Sequence, residues 1–135
     1  MNRKFMLEAL KQAKKALKKQ EVPIGAVIVK DNKIITKGYN QIESKKDSTK
    51  HAEIIVIQKA SKKLKNWRLN NCDIYVTLEP CTMCAAAIEL SRIKNVYFCL
   101  SKDKNIIINK NKYIKLDYYE NEYKKELQNF FKNKR

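Results

Sequence analysis

Glycine and proline are nearly absent from this chain: two of each in 135 residues, with one histidine and one tryptophan. So little Gly and Pro leaves no stretch with the composition of a linker. The length supports one domain rather than two, taken as residues 1–135. No internal repeat is present, and no apolar run nears the roughly 20 residues that span a bilayer, so no membrane span is expected. The N-terminus (Met1-Asn2-Arg3-Lys4-Phe5-Met6-Leu7-Glu8) lacks a long apolar stretch and a small-residue cleavage site. It runs straight into helical periodicity, which argues against a secretory signal and for a cytoplasmic protein. Acidic residues are also few: 14 Asp+Glu against 30 Lys+Arg leave a net charge of +16.

What is present is enough to fold. Forty-four per cent of residues are hydrophobic, which excludes a wholly disordered basic tail. The charge excess is of a kind that attracts a polyanion through counterion release. It has a second explanation. Nearly all the basic residues are Lys, set among many Asn and Ile, and a codon-composition bias produces the same excess with no partner. Lys is a point charge, whereas Arg supplies the fork that grips phosphates and guanines.

Residues 4–19 place Met6, Ala9, Leu10, Ala13 and Leu17 on one face and Lys on the other, a helix that Pro23 ends. Ile24–Val29 is a short apolar run suited to a buried strand. Asp31-Asn32 is turn chemistry, and Lys33–Tyr39 reads as its hairpin partner. Residues 41–50 read as a loop and His51 to about Lys65 as a helix. Asp73–Leu78, Thr82–Ser91 and Val96–Leu100 read as strand, buried helix and strand. A fifth strand is expected near Tyr113–Leu116, and Tyr119, Tyr123, Leu127 and Phe130 share a helical, core-facing stripe. Strands alternating with helices imply an α/β domain whose mixed sheet is covered on both faces.

Four Cys and one His carry the chemistry. Cytoplasmic proteins seldom keep disulfides, so the spacing is read for metal first. Cys81-Thr82-Met83-Cys84 follows a strand and Pro80 and opens a helix. Residues i and i+3 in a first turn face one side, and the positive helix end favours thiolate. A redox dithiol has the same spacing. His51-Ala52-Glu53 stands at another helix start. One imidazole and two thiolates make three zinc ligands and leave a fourth position open, the mark of a catalytic site. Zinc there makes a bound water acidic. Glu53, two residues from the ligand, is placed to take that water's proton and pass it on.

The pattern H-x-E…P-C-x-x-C resembles that of the zinc-dependent nucleoside and nucleobase deaminases. The likeness extends to Val22–Val27, Gly38-Tyr39-Asn40, His51-Ala52-Glu53, Tyr75–Ala85 and Ser91-Arg92-Ile93, which look like the bacterial tRNA-specific adenosine deaminases. It is close from about residue 5 to 100 and looser over the last helix. The resemblance implies a three-layer α/β/α cytidine-deaminase-like domain with roughly five strands. It implies His51, Cys81 and Cys84 on Zn2+, Glu53 shuttling protons, and adenosine-to-inosine conversion at the wobble position of a tRNA anticodon. Asn40 matches a position that hydrogen-bonds the target base, and an Asn amide offers both donor and acceptor. Ala52 and Pro80 would line the pocket. The implied assembly is a homodimer that contacts an anticodon stem-loop across both subunits.

One region departs. After the fourth strand the family usually carries a Gly-rich segment with an acidic residue and a Lys. Here Cys99–Asn105 has no Gly, and the stretch onward to Phe130 is shorter by roughly a dozen residues, a length change surface segments tolerate. Asp103 stands in for the acidic residue with a one-place shift, or Lys102 takes its place. Lys102, Asp103, Phe131 and Arg135 are the candidate RNA contacts. Two rivals remain open at this point. One is a small-molecule deaminase of the same fold, acting on cytosine, guanine or cytidine. The other is a closed structural zinc site of Cys72, Cys81, Cys84 and Cys99 in a nucleic-acid-binding module. Against the latter, Cys72 and Cys99 read as ordinary buried thiols.

Overall fold

A computed structural model of the chain describes residues 2–102 and 112–133. The elements are α1 (Asn2–Lys18), β1 (Gly25–Lys30), β2 (Lys33–Tyr39), α2 (Ile42–Lys45), α3 (Ala52–Leu64), β3 (Cys72–Leu78), α4 (Thr82–Leu90), β4 (Asn95–Leu100), β5 (Tyr113–Lys115) and α5 (Glu120–Asn133). The strands form one sheet in the order β2-β1-β3-β4-β5. β1 is antiparallel to both β2 and β3, and β3, β4 and β5 run parallel. The mixed five-stranded α/β/α arrangement is the one expected from the sequence.

Side-chain alternation in the central strands creates the layers. In β1, Ala26 and Ile28 face a core shared with Ala52, Val56 and Ala60 of α3 and Ile88 of α4. Val27 and Val29 face the opposite core, with Phe5, Met6, Ala9 and Ala13 of α1 and Tyr123 of α5. A strand with both faces covered has no polar side to spare, which is why Ile24–Val29 reads as an unbroken apolar run. Fully burying a residue such as Met6 contributes about 1.5–3 kcal/mol.

The scarcity of glycine leaves a trace in the backbone. Among the described residues, eight non-glycine positions have positive φ: Gln20, Asp31, Asn32, Lys46, Lys65, Asn71, Arg92 and Tyr119. Asp31 and Asn32 form the two-residue hairpin turn, which needs φ > 0 twice. Gln20 ends α1 in a left-handed cap with Glu21 N–H donating to Ala16 C=O. Lys46 and Lys65 end α2 and α3 in the same way. Neither glycine is used for a left-handed turn. Both permit close approach instead. A Cβ on Gly25 would stand 2.2 Å from the Ala9 carbonyl oxygen of α1, and one on Gly38 would stand 3.0 Å from Ile55 of α3.

Two sequence expectations change. The loop expected at 41–50 contains the one-turn helix α2. Buried Glu21 holds its N-terminus, accepting the N–H groups of Glu43 (3.0 Å) and Ser44 (2.8 Å). Tyr119 is not part of the core-facing helical stripe. It precedes α5 at positive φ, and its hydroxyl accepts a hydrogen bond from Arg3. Phe130 is half-buried, while Tyr123 is fully enclosed.

The backbone pattern makes opposite stability predictions for two kinds of site. Gly25→Ala is expected to destabilise by about 3 kcal/mol, the upper end of overpacking costs, because the obstructing atoms are backbone. Lys65→Gly is expected to stabilise by about 1 kcal/mol, by removing the left-handed Cβ penalty. Urea denaturation of the two variants reads both signs; a destabilised Lys65→Gly contradicts the cap assignment.

Candidate metal and active site

The site forms where β2, β3 and β4 end and β1 begins. β2 runs out at Tyr39 into Asn40, and β3 runs out at Leu78 into Glu79-Pro80-Cys81. Two helices start here. His51 is the N-cap residue of α3 and Cys81 that of α4, both in extended backbone and neither bonding the helix end with its side chain. Their side chains turn toward each other instead. Glu53 and Cys84 follow in the first turns, both buried.

His51 Nδ1 lies 3.7 Å from Cys81 Sγ and 3.5 Å from Cys84 Sγ. Ligand atoms of the three residues all fall within 4.8 Å of one another. An ion held tetrahedrally at about 2.3 Å from sulfur and about 2.0–2.1 Å from nitrogen keeps an S and an N about 3.5–3.6 Å apart. The donor set and its spacing therefore fit zinc. Cys81 is pulled down to about 3 by hydrogen bonds from Cys84 and His51, so it is a ready thiolate. Cys84 is pushed up by its bond to Cys81 and by burial, so of the two thiols one holds the proton. His51 is raised, chiefly by its bond to Cys81.

Glu53 is 3% exposed and lies against Cys84, and burial raises its carboxyl to about 7. Both His51 and Glu53 feel the positive charge of Lys102, which lowers each of them slightly. Lys102 is exposed, and its N–H donates to Glu79 Oε1 at 2.9 Å. Asn40 is also buried, and its Oδ1 accepts the Ala52 N–H at 2.7 Å. That bond uses one of the two lone pairs of the amide oxygen, and Nδ2 carries the donors of the same side chain. Ala52 and Pro80 are buried beside these groups. Phe131 is exposed far along α5; Asp103 and Arg135 lie outside the described residues.

Residues 1–100 match the model of the cytidine and deoxycytidylate deaminase zinc-binding region. The chain belongs to that deaminase family. It is 50% identical over 142 residues to a tRNA-specific adenosine deaminase of Buchnera aphidicola, an alignment covering 97% of this chain and 94% of that protein. It is 55% identical over 92 residues to a chloroplastic tRNA(adenine(34)) deaminase of Arabidopsis thaliana, covering 68% of this chain but 7% of that protein. A solved structure from work on A-to-I editing by tRNA:A34 deaminases at the wobble position superposes with a TM-score of 0.73 at 48% identity, covering 75% of this chain and 73% of that one.

The deaminase architecture leaves the other two cysteines out. Cys72 begins β3 and is buried; Cys99 is buried in β4 with its Sγ donating to Tyr118 C=O at 2.9 Å. Among the described residues the ligand cluster contains neither. A four-cysteine site is not assembled. Sequence reasoning missed Glu21 and Glu79, which brace the flanking loops through backbone amides. Glu21 lies outside any motif and Glu79 lies within the Tyr75–Ala85 stretch without a role read for it; only the fold brings Glu21 near α2 and Glu79 near Lys102.

Cys81→Ser and Cys84→Ser are each expected to abolish stoichiometric metal binding. Cys72→Ser and Cys99→Ser should keep one equivalent. Elemental analysis of the purified variants checks this, and metal loss from Cys72→Ser or Cys99→Ser would overturn the ligand set.

Proposed function

We propose that the chain is a zinc-dependent hydrolase that converts adenosine to inosine at the wobble position of a tRNA anticodon. The observation that carries the chemistry is a buried carboxyl, Glu53, beside a three-ligand His51/Cys81/Cys84 cluster at two helix N-termini. The substrate rests on the tRNA-acting relatives at about half identity.

His51, Cys81 and Cys84 would hold the zinc, which when bound supplies an acidified water near neutral pH. In the net reaction water adds at C6 of adenine and ammonia leaves. Glu53 takes one proton from the attacking water and gives it to the ring nitrogen N1, then carries the remaining proton of the added hydroxyl to the departing amine, which leaves as ammonia. A carboxyl with a pKa of about 7 accepts and releases a proton with little driving force lost in either direction. Asn40 Nδ2 donates to a ring nitrogen of the base, while its Oδ1 stays tied to Ala52. Ala52 and Pro80 form apolar walls. An anticodon loop presents its bases already unpaired, which lowers the cost of bringing one to a recessed site.

The RNA backbone would meet lysines next to the site in sequence. Gln41, Lys45, Lys50, Lys59 and Lys62 line an open groove along α2 and α3, and Lys102 stands on the other side. The same reading includes a homodimer in the cytoplasm. Met83 and Leu90, two turns apart on α4, are exposed and offer an apolar surface that a second copy would cover.

The deciding experiment incubates zinc-loaded protein with an anticodon stem-loop carrying a wobble adenosine, with free adenosine, cytidine and guanine in parallel. Reverse transcription is expected to read inosine as an A-to-G change, with the free compounds untouched. Turnover of a free compound alone would make the chain a small-molecule deaminase. Glu53→Gln should retain zinc and lose about 10²–10⁴ in kcat, the usual worth of a positioned proton transfer.

Binding should also be salt-dependent. A plot of log K against log salt with a slope of about −3 or steeper is expected if four or more phosphates are neutralised. A flat plot would assign the lysine excess to composition.

A further inference from the structure

Helix α5 lies beyond the residues matched to the family. Of its described residues only Tyr123 is buried. That side chain reaches through the α1-side layer to the point where β1 begins and β3 ends. There the Gly25 N–H donates to Thr77 Oγ1 (3.2 Å), the Thr77 hydroxyl donates to Tyr123 Oη (2.9 Å), and the Tyr123 hydroxyl donates to the Pro23 carbonyl (2.8 Å). The relay starts and finishes within Pro23–Gly25, with all its donors pointing the same way, an arrangement in which each bond polarises the next. Thr77 is fully buried and Tyr123 is 2% exposed, so no bulk water can replace a missing member.

The relay touches both halves of the site. Ile24, enclosed between the two bonded residues, accepts the Asn40 N–H at 3.0 Å. Asn40 in turn holds the Ala52 N–H, one residue from both His51 and Glu53. On the other arm, Thr77 is the penultimate residue of β3, four positions before Cys81. Burial pushes the phenol's pKa upward, so the group remains a proton donor through the working pH range.

We propose that Tyr123 is a positioning residue for the deamination site: its hydroxyl ties the start of β1 to the end of β3 and thereby fixes Asn40 and the first turn of α3 relative to Cys81. The proposal rests on the deaminase reading for its consequence in catalysis, but not for its structural content. Tyr123 thus serves the pocket from behind, through one hydroxyl.

The test uses the zinc-loaded full chain. In Tyr123→Phe, amide hydrogen exchange at Asn40 and Ala52 should speed up by about tenfold, the loss expected for removing one net hydrogen bond. Exchange at Val29 and Ile74, in the same two strands but away from the relay, should stay near wild type. On the stem-loop, kcat per bound zinc should fall about tenfold with KM nearly unchanged, the pattern of a misplaced reacting group. Thr77→Val should reproduce both effects and supplies the second variant if Tyr123→Phe does not fold. Thr77→Ser, which keeps the hydroxyl, should match wild type. Unchanged exchange at Asn40 and Ala52, a uniform increase across the sheet, or a KM effect without a kcat effect would each overturn the proposal. Wild-type protein inactive on every stem-loop would instead count against the tRNA substrate, and the exchange measurement would still decide the positioning role.

Discussion

The register of β1 against β3 is the constraint from which the site follows. Ala26 stands opposite Val76, which sets Gly25 beside Thr77 and the start of one strand at the end of the other. Because side chains alternate, a one-residue slip would send Ala26 and Ile28 to the α1 layer and Val27 and Val29 to the α3 layer. The slip would also move Asn40 along the edge relative to Cys81. Three features hold the register. Gly25 admits the α1 backbone so closely that no other residue fits in its place. The two cores differ in their partners, with Phe5, Met6, Ala9 and Ala13 of α1 and Tyr123 of α5 on one side and the α3–α4 pair on the other. The Thr77 hydroxyl pairs with the first N–H of β1.

Given that register, two helix N-termini converge, and they do more than present ligands. A helix start carries partial positive charge from its unpaired N–H groups. At α4 this favours the Cys81 thiolate. At α3 the N–H of Ala52 is taken by Asn40, so the end is satisfied by a pocket residue rather than by the side chain of His51. The imidazole is released from capping and left to face the thiols. Replacing His51 by a good N-cap residue such as Ser would satisfy the helix and remove the candidate ligand, so local helix stability and the candidate metal site make opposite demands at this position.

Legibility in the sequence divides along chain separation. His51-Ala52-Glu53 and Cys81–Cys84 are readable because each works within one helical turn, and the strands are readable because full burial makes them continuously apolar. The hairpin was legible in Asp31-Asn32, whose types tolerate φ > 0. The caps at Lys46 and Lys65 were not, since lysine carries no signal for the left-handed region and takes the position for want of glycine. Glu21 reads as a surface carboxylate until α2 is folded over it. Tyr123 belongs to a helical stripe in the sequence, but its partners Pro23 and Thr77 lie 100 and 46 residues away, and only the sheet order brings them together.

The electrostatics of the site turn on competition between burial and hydrogen bonding. Both Glu53 and Cys81 stand at helix starts where an anion is welcome, yet they move apart. Burial dominates at Glu53 and lifts the carboxyl to about 7. Hydrogen bonds from Cys84 and His51 dominate at Cys81 and bring the thiol to about 3. Adjacent groups are driven in opposite directions: the thiol toward the anion that suits a cation, the carboxyl toward titration near neutrality. On net charge alone, a chain carrying +16 would flatten that difference by holding every acid ionised. It does not, because the lysines are solvated and screened within about 10 Å, whereas desolvation acts on Glu53 at contact distance. Lys102 is the instructive case, since its charge reaches Glu53 and still leaves the carboxyl raised. The surface charge is therefore free to meet a polyanion without retuning Glu53.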